Sequence, residues 1–377
     1  MPDSSFFETQ TRASQVKAEI VAKYFWVWAK IVTKRATEIG YVDLFAGTGR
    51  YGDGAKSTPL LILERAISDE KFARILHVVL NDRDRDSVTA LRQAVADLSG
   101  IATLKHEPII KCHDVDESVI AWFQSKWRYP SLVFLDPWGY KGLSLRLIHA
   151  ALSRPLTDVI FFFNYNRVNA AITNEFMRGN VAALLTSERA EALREDVEGL
   201  LPEEREQSVL EALKAEVTLK GRYHWQDFRF TSSDVDKTSH YVILATKHPA
   251  GLKPMKEIMG SVSTEKTEGV PSMSYAPKEA RAHAQMDMFA SSPIEKLAQE
   301  LLSRFAGQTL AVEEIFRRHH EGTKYLPRNY REALLRLEKH GKIMCMPPAS
   351  DRQMRHGEPT LAEWVKVALR TNVRPSS

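Results

Sequence analysis

The segment at residues 41–54 constrains the fold of this chain more than any other part of the sequence. It consists of Tyr-Val-Asp-Leu-Phe-Ala-Gly-Thr-Gly-Arg-Tyr-Gly-Asp-Gly, an apolar run followed at once by a glycine-rich turn. A ligand packed against the end of a parallel strand requires close approach of the backbone, and glycine provides the space and the unusual dihedral angles. The segment predicts a strand that ends near Asp43 and a ligand-binding turn around Gly47 and Gly49.

The order of residue types in this turn indicates the kind of ligand. A dinucleotide-binding turn has the spacing G-x-G-x-x-G, whereas here an acidic and an aromatic residue precede G-x-G. This order resembles the first motif of S-adenosylmethionine (SAM) methyltransferases, whose glycines pack beneath the cofactor and whose acidic residue helps to hold its amino-acid end. The alternative is an ordinary strand and glycine-rich loop. The resemblance implies cofactor contacts from Asp43, Phe45, Ala46, Gly47, Thr48 and Gly49.

A second acidic residue is predicted at the end of the next strand. Residues 77–81 are mostly apolar, and Asp82 follows them about 30 residues after the glycines, which is the length of one βαβ unit. An acidic side chain at this place accepts hydrogen bonds from ribose hydroxyls in nucleoside-binding folds. We therefore expect Asp82 to bind the ribose, with Asn81 and Asp84 as neighbours able to substitute for it.

The next segments extend the predicted cofactor site. The apolar spacing predicts a helix at residues 87–98, and a third strand is expected near residues 102–105. The loop beyond that strand carries Asp114, which is placed to bind the adenine amino group.

The fourth predicted strand, residues 131–135, ends in the segment with the most chemistry, Asp-Pro-Trp-Gly at residues 136–139. In methyltransferases that act on exocyclic amines, this strand ends in an acidic or amide residue, a proline and an aromatic residue, and the first residue accepts hydrogen bonds from the target NH₂. Those enzymes usually have two prolines, and this chain has one. We expect Asp136, Pro137 and Trp138 to form the catalytic centre.

Two interpretations of Trp138 remain open. It is placed to stack on a flipped or unpaired base, which is worth about 1–3 kcal/mol. Alternatively, it covers the edge of the sheet.

A fifth apolar strand at residues 158–163 is followed by three polar side chains at the same edge of the sheet, Asn164, Asn166 and Arg167. They are placed either to bind a polar substrate or to cap the next helix. Residues 170–220 are charged and helical in pattern, which predicts a helical insertion beside the active face.

Residues 225–231 and 240–247 predict a β-hairpin. Such a hairpin, with its antiparallel last strand, closes the sheet of methyltransferases, whereas dehydrogenase sheets continue parallel.

Together the motifs resemble those of the three-Cys-motif partner proteins, over about residues 12–260. The resemblance implies a methyltransferase-like bacterial or phage protein with a separately encoded partner, whose three-cysteine motif is of the kind that can hold an iron–sulfur cluster. The matching segments are Val42–Arg50, Phe134–Gly139, Leu244–His248, Gly251, Met255–Lys256 and the helix at residues 17–28 with Tyr24.

The last part of the chain predicts a second domain. Residues 261–291 are polar and without periodicity, as expected of a linker. Helix patterns at residues 293–305, 311–320 and 327–340 precede a strand and a basic, proline-containing stretch, which is the winged-helix layout. In the third helix, side chains placed to meet phosphates or base edges are Arg328, Asn329, Arg331, Arg336 and Lys339.

Charge favours nucleic acid as the ligand of this domain. Residues 292–377 contain 15 Lys and Arg against 10 Asp and Glu, a net charge of +5, whereas the whole chain carries +4. A basic surface attracts nucleic acid by counterion release. Winged helices also dock proteins, so a protein partner remains the alternative.

One short segment of the predicted linker, Gln285–Phe289, has the sequence Gln-Met-Asp-Met-Phe. It resembles the peptide by which bacterial DNA enzymes bind the replication sliding clamp. The alternative is that Met288 and Phe289 dock onto the chain's own surface.

Composition excludes several classes. No apolar run approaches the ~20 residues of a membrane span, and no signal sequence is present. Cys112 and Cys345 are the only cysteines, so this chain alone builds neither a disulfide framework nor a metal cluster, and a reducing cytoplasm is expected. Cytosine C5 methylation needs a thiolate, usually after the proline of the fourth strand, where this chain has Trp138.

The sequence thus predicts an α/β fold with a Rossmann-like methyltransferase sheet and a helical insertion at residues 1–260, a linker at residues 261–291, and a winged helix at residues 292–377. The expected function is SAM-dependent methylation of a nucleic-acid base amino group. Three alternatives remain: a SAM-binding recognition or scaffold subunit for the three-cysteine partner, a DNA-binding regulator, and a nicotinamide enzyme.

Overall fold

The computed structural model of the chain describes residues 11–137, 142–172, 178–232, 237–277, 292–355 and 357–369. These residues fall into two compact units. The first runs to Ile258 and includes a short segment that begins at Tyr275, and the second contains Met259–Ser274 and the described residues from 292 onward.

A mostly parallel sheet forms the centre of the first unit. In order across the sheet its strands are β3, β2, β1, β4, β5, β7 and β6, with the short β10 beside β6. Their bounds are β1 (Ile39–Asp43), β2 (Leu76–Asp82), β3 (Ile109–Cys112), β4 (Ser131–Leu135), β5 (Asp158–Phe163), β6 (His224–Thr231), β7 (Thr238–Thr246) and β10 (Ser274–Tyr275).

The central strands follow directly from their apolar sequences. Strands β1 and β4 are buried along their whole length, because helices cover both faces of a parallel sheet. Strand β7 runs antiparallel to both β5 and β6, with Phe163 opposite Tyr241 and Phe228 opposite Val242. The predicted closing hairpin is therefore confirmed, and the strand order is that of the Rossmann-like methyltransferase sheet.

Helices pack on both faces of this sheet. The long α1 precedes β1 and is capped by Thr11, whose hydroxyl accepts from Ser14 N. None of the helices among the described residues is both long and apolar enough to cross a membrane. The helices are α1 (Arg12–Val32), α2 (Thr58–Ile67), α3 (Glu70–Ile75), α4 (Arg85–Ala96), α5 (Glu117–Ser125), α6 (Leu145–Ser153), α7 (Tyr165–Ile172), α8 (Arg178–Leu185), α9 (Ser187–Asp196), α10 (Pro202–Val217) and α11 (Leu252–Val262).

Two sequence predictions differ from the structure. The third strand was expected near residues 102–105, but residues 101–103 form a turn of 3₁₀ helix and β3 begins at Ile109. The predicted linker is folded in its first half, where β8 (Lys266–Thr267) pairs with β9 (Val270–Pro271). Val270 is buried in the hydrophobic core of the second unit, so this segment is part of that unit.

The second unit has the winged-helix layout that the sequence predicts. Its strands β11, β15 and β12 form an antiparallel sheet, and a small hairpin of β13 and β14 forms the wing. The bounds are α12 (Pro293–Arg304), β11 (Thr309–Ala311), α13 (Val312–His319), α14 (Pro327–Lys339), β12 (Ile343–Met346), β13 (Met354–Arg355), β14 (Glu358–Pro359) and β15 (Lys366–Leu369).

Candidate functional site

The carboxyl ends of β1, β2 and β4 meet at one edge of the first unit's sheet. Asp43 lies opposite Leu80 of β2 and Phe134 of β4, so Asp82 and Asp136 each follow within two residues of its neighbours. Open α/β sheets bind their ligands at this edge. The structure therefore brings together three of the acidic residues that the sequence singled out.

Asp43 is a buried carboxyl group with defined partners. It is 1% exposed, and its oxygens accept hydrogen bonds from Phe45 N and from the Tyr41 hydroxyl, both at 3.1 Å. Burial raises the pKa of Asp43 to about 7; the Phe45 N–H opposes the increase, and the charge of Asp136 adds to it. Near neutral pH this group exchanges a proton readily, and a bound cation would favour its ionised form.

The glycine-rich turn is tied to the end of β2. Gly47 N donates to Asp82 Oδ2 at 3.0 Å, and Ala46 N donates to the carbonyl of Asn81 at 2.9 Å. Gly47 and Gly49 have φ values of +62° and +83°, which few residues other than glycine adopt.

The two glycines have different surroundings. A Cβ atom at Gly49 would lie 3.0 Å from Leu91 Cδ1 and 3.1 Å from Ala94 Cβ, so Gly49 allows α4 to pack against the turn. A Cβ atom at Gly47 would meet no described atom within 4 Å. Gly47 thus exposes bare backbone at the sheet edge, as a nucleoside cofactor requires.

Both neighbours that were expected to substitute for Asp82 are engaged elsewhere. Asn81 Nδ2 donates to the carbonyls of Leu44 and His113, and its Oδ1 accepts from His113 N. Asp84 caps α4 by accepting from Ser87 N at 2.7 Å. Asp82 is also engaged, since Gly47 N donates to its Oδ2 and Asp84 N donates to its Oδ1, both at 3.0 Å, and its contact with ribose stays a prediction.

The other predicted cofactor residues lie in the same region of the chain. Phe45 packs against the hydrophobic core, and the Thr48 hydroxyl donates to the carbonyl of Arg50 at 2.5 Å. Asp114 is exposed, one residue beyond the His113 backbone that Asn81 holds. The contact of Asp114 with adenine stays a prediction.

Asp136 has a partner that sequence reasoning missed. The ammonium group of Lys17, on α1, donates to Asp136 Oδ2, and the two side chains are 16% and 22% exposed. Lys17 Nζ also lies 4.7 Å from the centroid of the Phe162 ring. Pro137 is buried, and Trp138 lies outside the described residues. The helix that carries Lys17 was predicted, but no sequence signal connected it with Asp136.

An aromatic group borders this ion pair. The His240 ring stacks on Phe230 at 4.5 Å between centroids and lies 4.3 Å from Phe162. Burial, followed by the charge of Lys17, lowers the pKa of His240 to about 3. The imidazole is therefore neutral at physiological pH and serves as part of a largely apolar wall.

Of the two roles considered for the residues after β5, the structure favours helix capping for Asn164. Its Oδ1 accepts from Arg167 N at 3.1 Å, at the start of α7. The side chains of Asn166 and Arg167 are exposed.

A cluster at the opposite edge of the sheet contains residue types that bind metals. Glu38 Oε1 lies 3.5 Å from His77 Nε2 and 3.2 Å from His106 Nε2. However, the two imidazole rings stack at 3.8 Å with an interplanar angle of 23°, and His77 stacks in the same way on Tyr129. Nearly parallel rings do not direct their lone pairs at one ion, so this geometry fits a stacked aromatic cluster better than a metal site.

In the second unit, most of the predicted nucleic-acid residues have partners within that unit. Arg328 donates to the carbonyl of Gly269 at 3.3 Å, Arg331 lies 3.5 Å from Glu363, and Arg336 lies 3.0 Å from Glu332. Lys339 is exposed and makes no hydrogen bond or ion pair with the described residues. A phosphate would compete with these acidic partners.

Asn329 corrects one prediction. It is 2% exposed, and its Oδ1 accepts from Leu326 N at 2.8 Å, so the side chain caps the start of α14. The amide oxygen that would accept from a base edge is thereby used within the helix. The sequence placed Asn329 on the right helix, but the capping position was not recognised.

The strand order and the edge residues together define the class of the first unit as a Rossmann-like methyltransferase fold. The second unit is similar to a known type of domain, since residues 274–350 match the GMT-like wHTH domain. That match covers the smaller part of the chain. A search of curated proteins finds no match.

Several solved structures, methyltransferases among them, resemble the chain at low identity. The methyltransferase domain of bacterial CtHen1-CN is 13% identical, with 60% of this chain and 99% of that chain covered and a TM-score of 0.31. The plantazolicin methyltransferase BamL, in complex with a triazolic desmethylPZN analog and SAH, is 9% identical, with 65% of this chain and 90% of that chain covered and a TM-score of 0.34. A Legionella pneumophila protein is 11% identical, with 65% of this chain and 91% of that chain covered and a TM-score of 0.36. Scores this low carry no argument about activity, so the fold assignment depends on the strand order.

Proposed function

We propose that this chain is a SAM-dependent methyltransferase that acts on a base amino group of nucleic acid. The proposal depends on one observation: the residues expected to bind the cofactor and those expected to bind the acceptor lie at the same edge of the sheet. Asp43, Gly47 and Asp82 form a nucleoside-type binding set, and Asp136-Pro137 follows the adjacent strand β4. A binding set and an acceptor group at one edge are what a transfer reaction needs.

The binding residues fit a cofactor with separate charged and nucleoside parts. Asp43 would hold the α-ammonium group and Asp82 the ribose hydroxyls, while the bare backbone at Gly47 allows close approach. Ser57 lies beside the glycine-rich turn, because its N–H donates to the carbonyl of Gly49 at 2.9 Å. Its hydroxyl is buried without a hydrogen-bond partner among the described residues and would be available to a bound cofactor. When bound, SAM supplies an electrophilic methyl group on a sulfonium.

Asp136 has the chemistry to orient the acceptor. Its carboxylate accepts an N–H hydrogen bond from the acceptor amine and so fixes the nitrogen lone pair in direction. Bound SAM would supply the methyl carbon together with a neutral sulfide leaving group, which would keep the electron pair of the carbon–sulfur bond. The surplus proton on nitrogen passes to the Asp136 carboxylate and then to solvent, which balances the reaction.

Nucleic acid is the favoured substrate because of the winged helix. Its third helix α14 exposes Lys339 and carries several arginines, and this module is a common reader of duplexes. A separately encoded three-cysteine partner remains a prediction from the family resemblance. The sliding-clamp segment Gln285–Phe289 lies outside the described residues.

The proposal is tested by incubating the purified chain with methyl-tritiated SAM and either genomic DNA or total RNA. Tritium should enter one of the two, and mass spectrometry should place it on an exocyclic nitrogen. Label on a sugar or on carbon would contradict the amine assignment. SAM binding without label in either polymer would favour the scaffold function.

We expect SAM affinity to increase with pH up to about 7. The pKa of Asp43 is raised to about 7 by burial, so below that pH the carboxyl group is protonated in the free protein, and binding the cofactor's ammonium group must release the proton. Below the pKa the affinity should change by up to about tenfold per pH unit, and it should level off above the pKa. Calorimetry in two buffers of different ionisation enthalpy measures the released proton directly. Proton uptake, or an affinity independent of pH between about 5 and 7, would contradict the role of Asp43.

We expect a variant with both Arg336→Gln and Lys339→Gln to bind duplex DNA or RNA more weakly. Each lost phosphate contact should reduce the slope of log K against log salt by roughly one unit. Arg317→Gln is the control, because Arg317 is an exposed arginine on α13 that Glu314 holds at 2.7 Å. If the double variant keeps the wild-type slope, α14 does not contact phosphates, and a protein-docking role becomes the better account.

A further inference from the structure

Lys17 is a charged residue that lies beside Asp136 at the carboxyl end of β4. Its side chain is 16% exposed, and its ammonium group lies against Asp136 and the Phe162 ring. Burial alone lowers the pKa of Lys17, but the charges of Asp136 and Tyr51 and the hydrogen bond to Asp136 outweigh that effect and raise the pKa above its ordinary value. Lys17 is therefore a fixed cation.

Other contacts hold α1 in place. The Tyr24 hydroxyl donates to Asp158 at 2.7 Å, seven residues further along the helix. The ring centroids of Phe25 and Tyr41 are 5.6 Å apart, and those of Trp26 and Phe72 are 4.8 Å apart. With this anchor, the position of the helix does not depend on the ion pair of Lys17 and Asp136 alone, and buried ion pairs can often be replaced by apolar pairs without loss of stability.

We infer that Lys17 is a positioning residue of the acceptor site: it holds Asp136 through Oδ2, so that Oδ1 accepts the N–H of the acceptor amine. The inference rests on the proposed function. A carboxylate free to rotate would present either oxygen, whereas one held by a half-buried cation presents a single oxygen in a fixed direction. Misplacing a reacting group by about 1 Å lowers rates by about 10²-fold, so this constraint matters for turnover.

The first test needs no acceptor. Sinefungin carries an amine where SAM carries its methyl group, so its affinity relative to S-adenosylhomocysteine reports the charges that face the transferred group. Lys17→Met removes a cation, so the affinity for sinefungin relative to that for S-adenosylhomocysteine should increase by about fivefold or more. Asp136→Ala removes an anion and should lower the same ratio. Lys23→Met is the matched control, because Lys23 lies on the same helix with Glu19 at 2.5 Å and is 48% exposed. It should leave the ratio unchanged.

The second test measures methyl transfer to whichever polymer, genomic DNA or total RNA, the wild-type chain labels. Lys17→Met should lower kcat by about 10-fold to 100-fold while the S-adenosylhomocysteine dissociation constant stays within about threefold. Lys17→Arg, which keeps a cation in reach of Asp136, should restore most of the rate. The double variant Lys17→Met with Asp136→Ala should be no slower than Asp136→Ala alone, because the two residues act as one unit.

The outcomes separate this inference from the proposed function. A wild-type chain that transfers no methyl group overturns both. If the wild type is active and Lys17→Met is fully active as well, only the role of Lys17 is overturned. The same holds if Lys17→Met leaves the ratio of sinefungin affinity to S-adenosylhomocysteine affinity unchanged. Loss of activity that Lys17→Arg does not restore also overturns it, as does a methyl group found on Lys17, which would make Lys17 the acceptor.

Discussion

Asp136→Ala is expected to lower methyl transfer by about 10²-fold or more while SAM affinity stays close to the wild-type value. A positioned group that exchanges a hydrogen bond or proton with the reacting atom typically contributes 10²–10⁴-fold. Asp136 follows β4, whereas Asp43 and Asp82 are the last residues of β1 and β2, so the change removes the proposed acceptor contact and leaves the proposed cofactor contacts in place. Incorporation of tritium from labelled SAM measures the rate, and calorimetry measures the affinity.

The control for this variant is Asp86→Ala. Asp86 is an exposed acidic residue in the first turn of α4, and its loss removes the same charge away from β4. Its turnover should match the wild type. Full turnover by Asp136→Ala would exclude Asp136 as the acceptor group and favour a SAM-binding scaffold that transfers no methyl group itself.

Gly47→Val is expected to lower SAM affinity by about 100-fold or more, which corresponds to about 2.7 kcal/mol of binding free energy. The Cβ atom would extend into space that no described protein atom occupies within 4 Å, which is the space the proposal gives to the cofactor. The φ value of +62° also strains a β-branched residue. Calorimetry with SAM and with S-adenosylhomocysteine measures the loss.

A matched control separates backbone strain from loss of the binding space. Gly341, in the second unit, has a φ value of +67°, and a Cβ atom there would likewise meet no described atom within 4 Å, so Gly341→Val introduces similar strain away from the sheet edge. That variant should bind SAM normally. Wild-type affinity in a folded Gly47→Val variant would mean that the cofactor binds elsewhere.

The parts of the fold that the sequence predicted are those with strong local patterns. Strands β1 and β4 are continuous apolar runs because both of their faces are covered, and the closing hairpin shows as two strands about a polar turn. Strand β3 lies at the edge of the sheet, and its residues alternate between exposed and half-buried, with Ile109 47% exposed. Its sequence therefore resembles that of a loop, and the buried residue Leu104 drew the prediction to the wrong segment.

The parts of the site that the sequence did not predict depend on contacts between distant residues. Lys17 and Asp136 are 119 positions apart, and no local pattern connects them. Asn329 and Asn164 were placed on the correct elements, but whether an amide caps its helix or faces a ligand depends on its rotamer and burial. Strand ends are determined by local hydrophobicity, whereas the direction of a side chain is determined by its neighbours in space.

The side-chain amide of Asn81 has a consequence for how a ligand is received. Its Nδ2 and Oδ1 atoms bond to the backbone at Leu44 and His113, so the end of β1 and the loop before Asp114 are joined across β2. A bound nucleoside would then meet a surface that is already ordered. The conformational entropy of these loops is lost on folding and not on binding, so the available binding energy goes into affinity. One amide at the centre of the sheet edge thus fixes the relative positions of the loops that the proposal assigns to the cofactor.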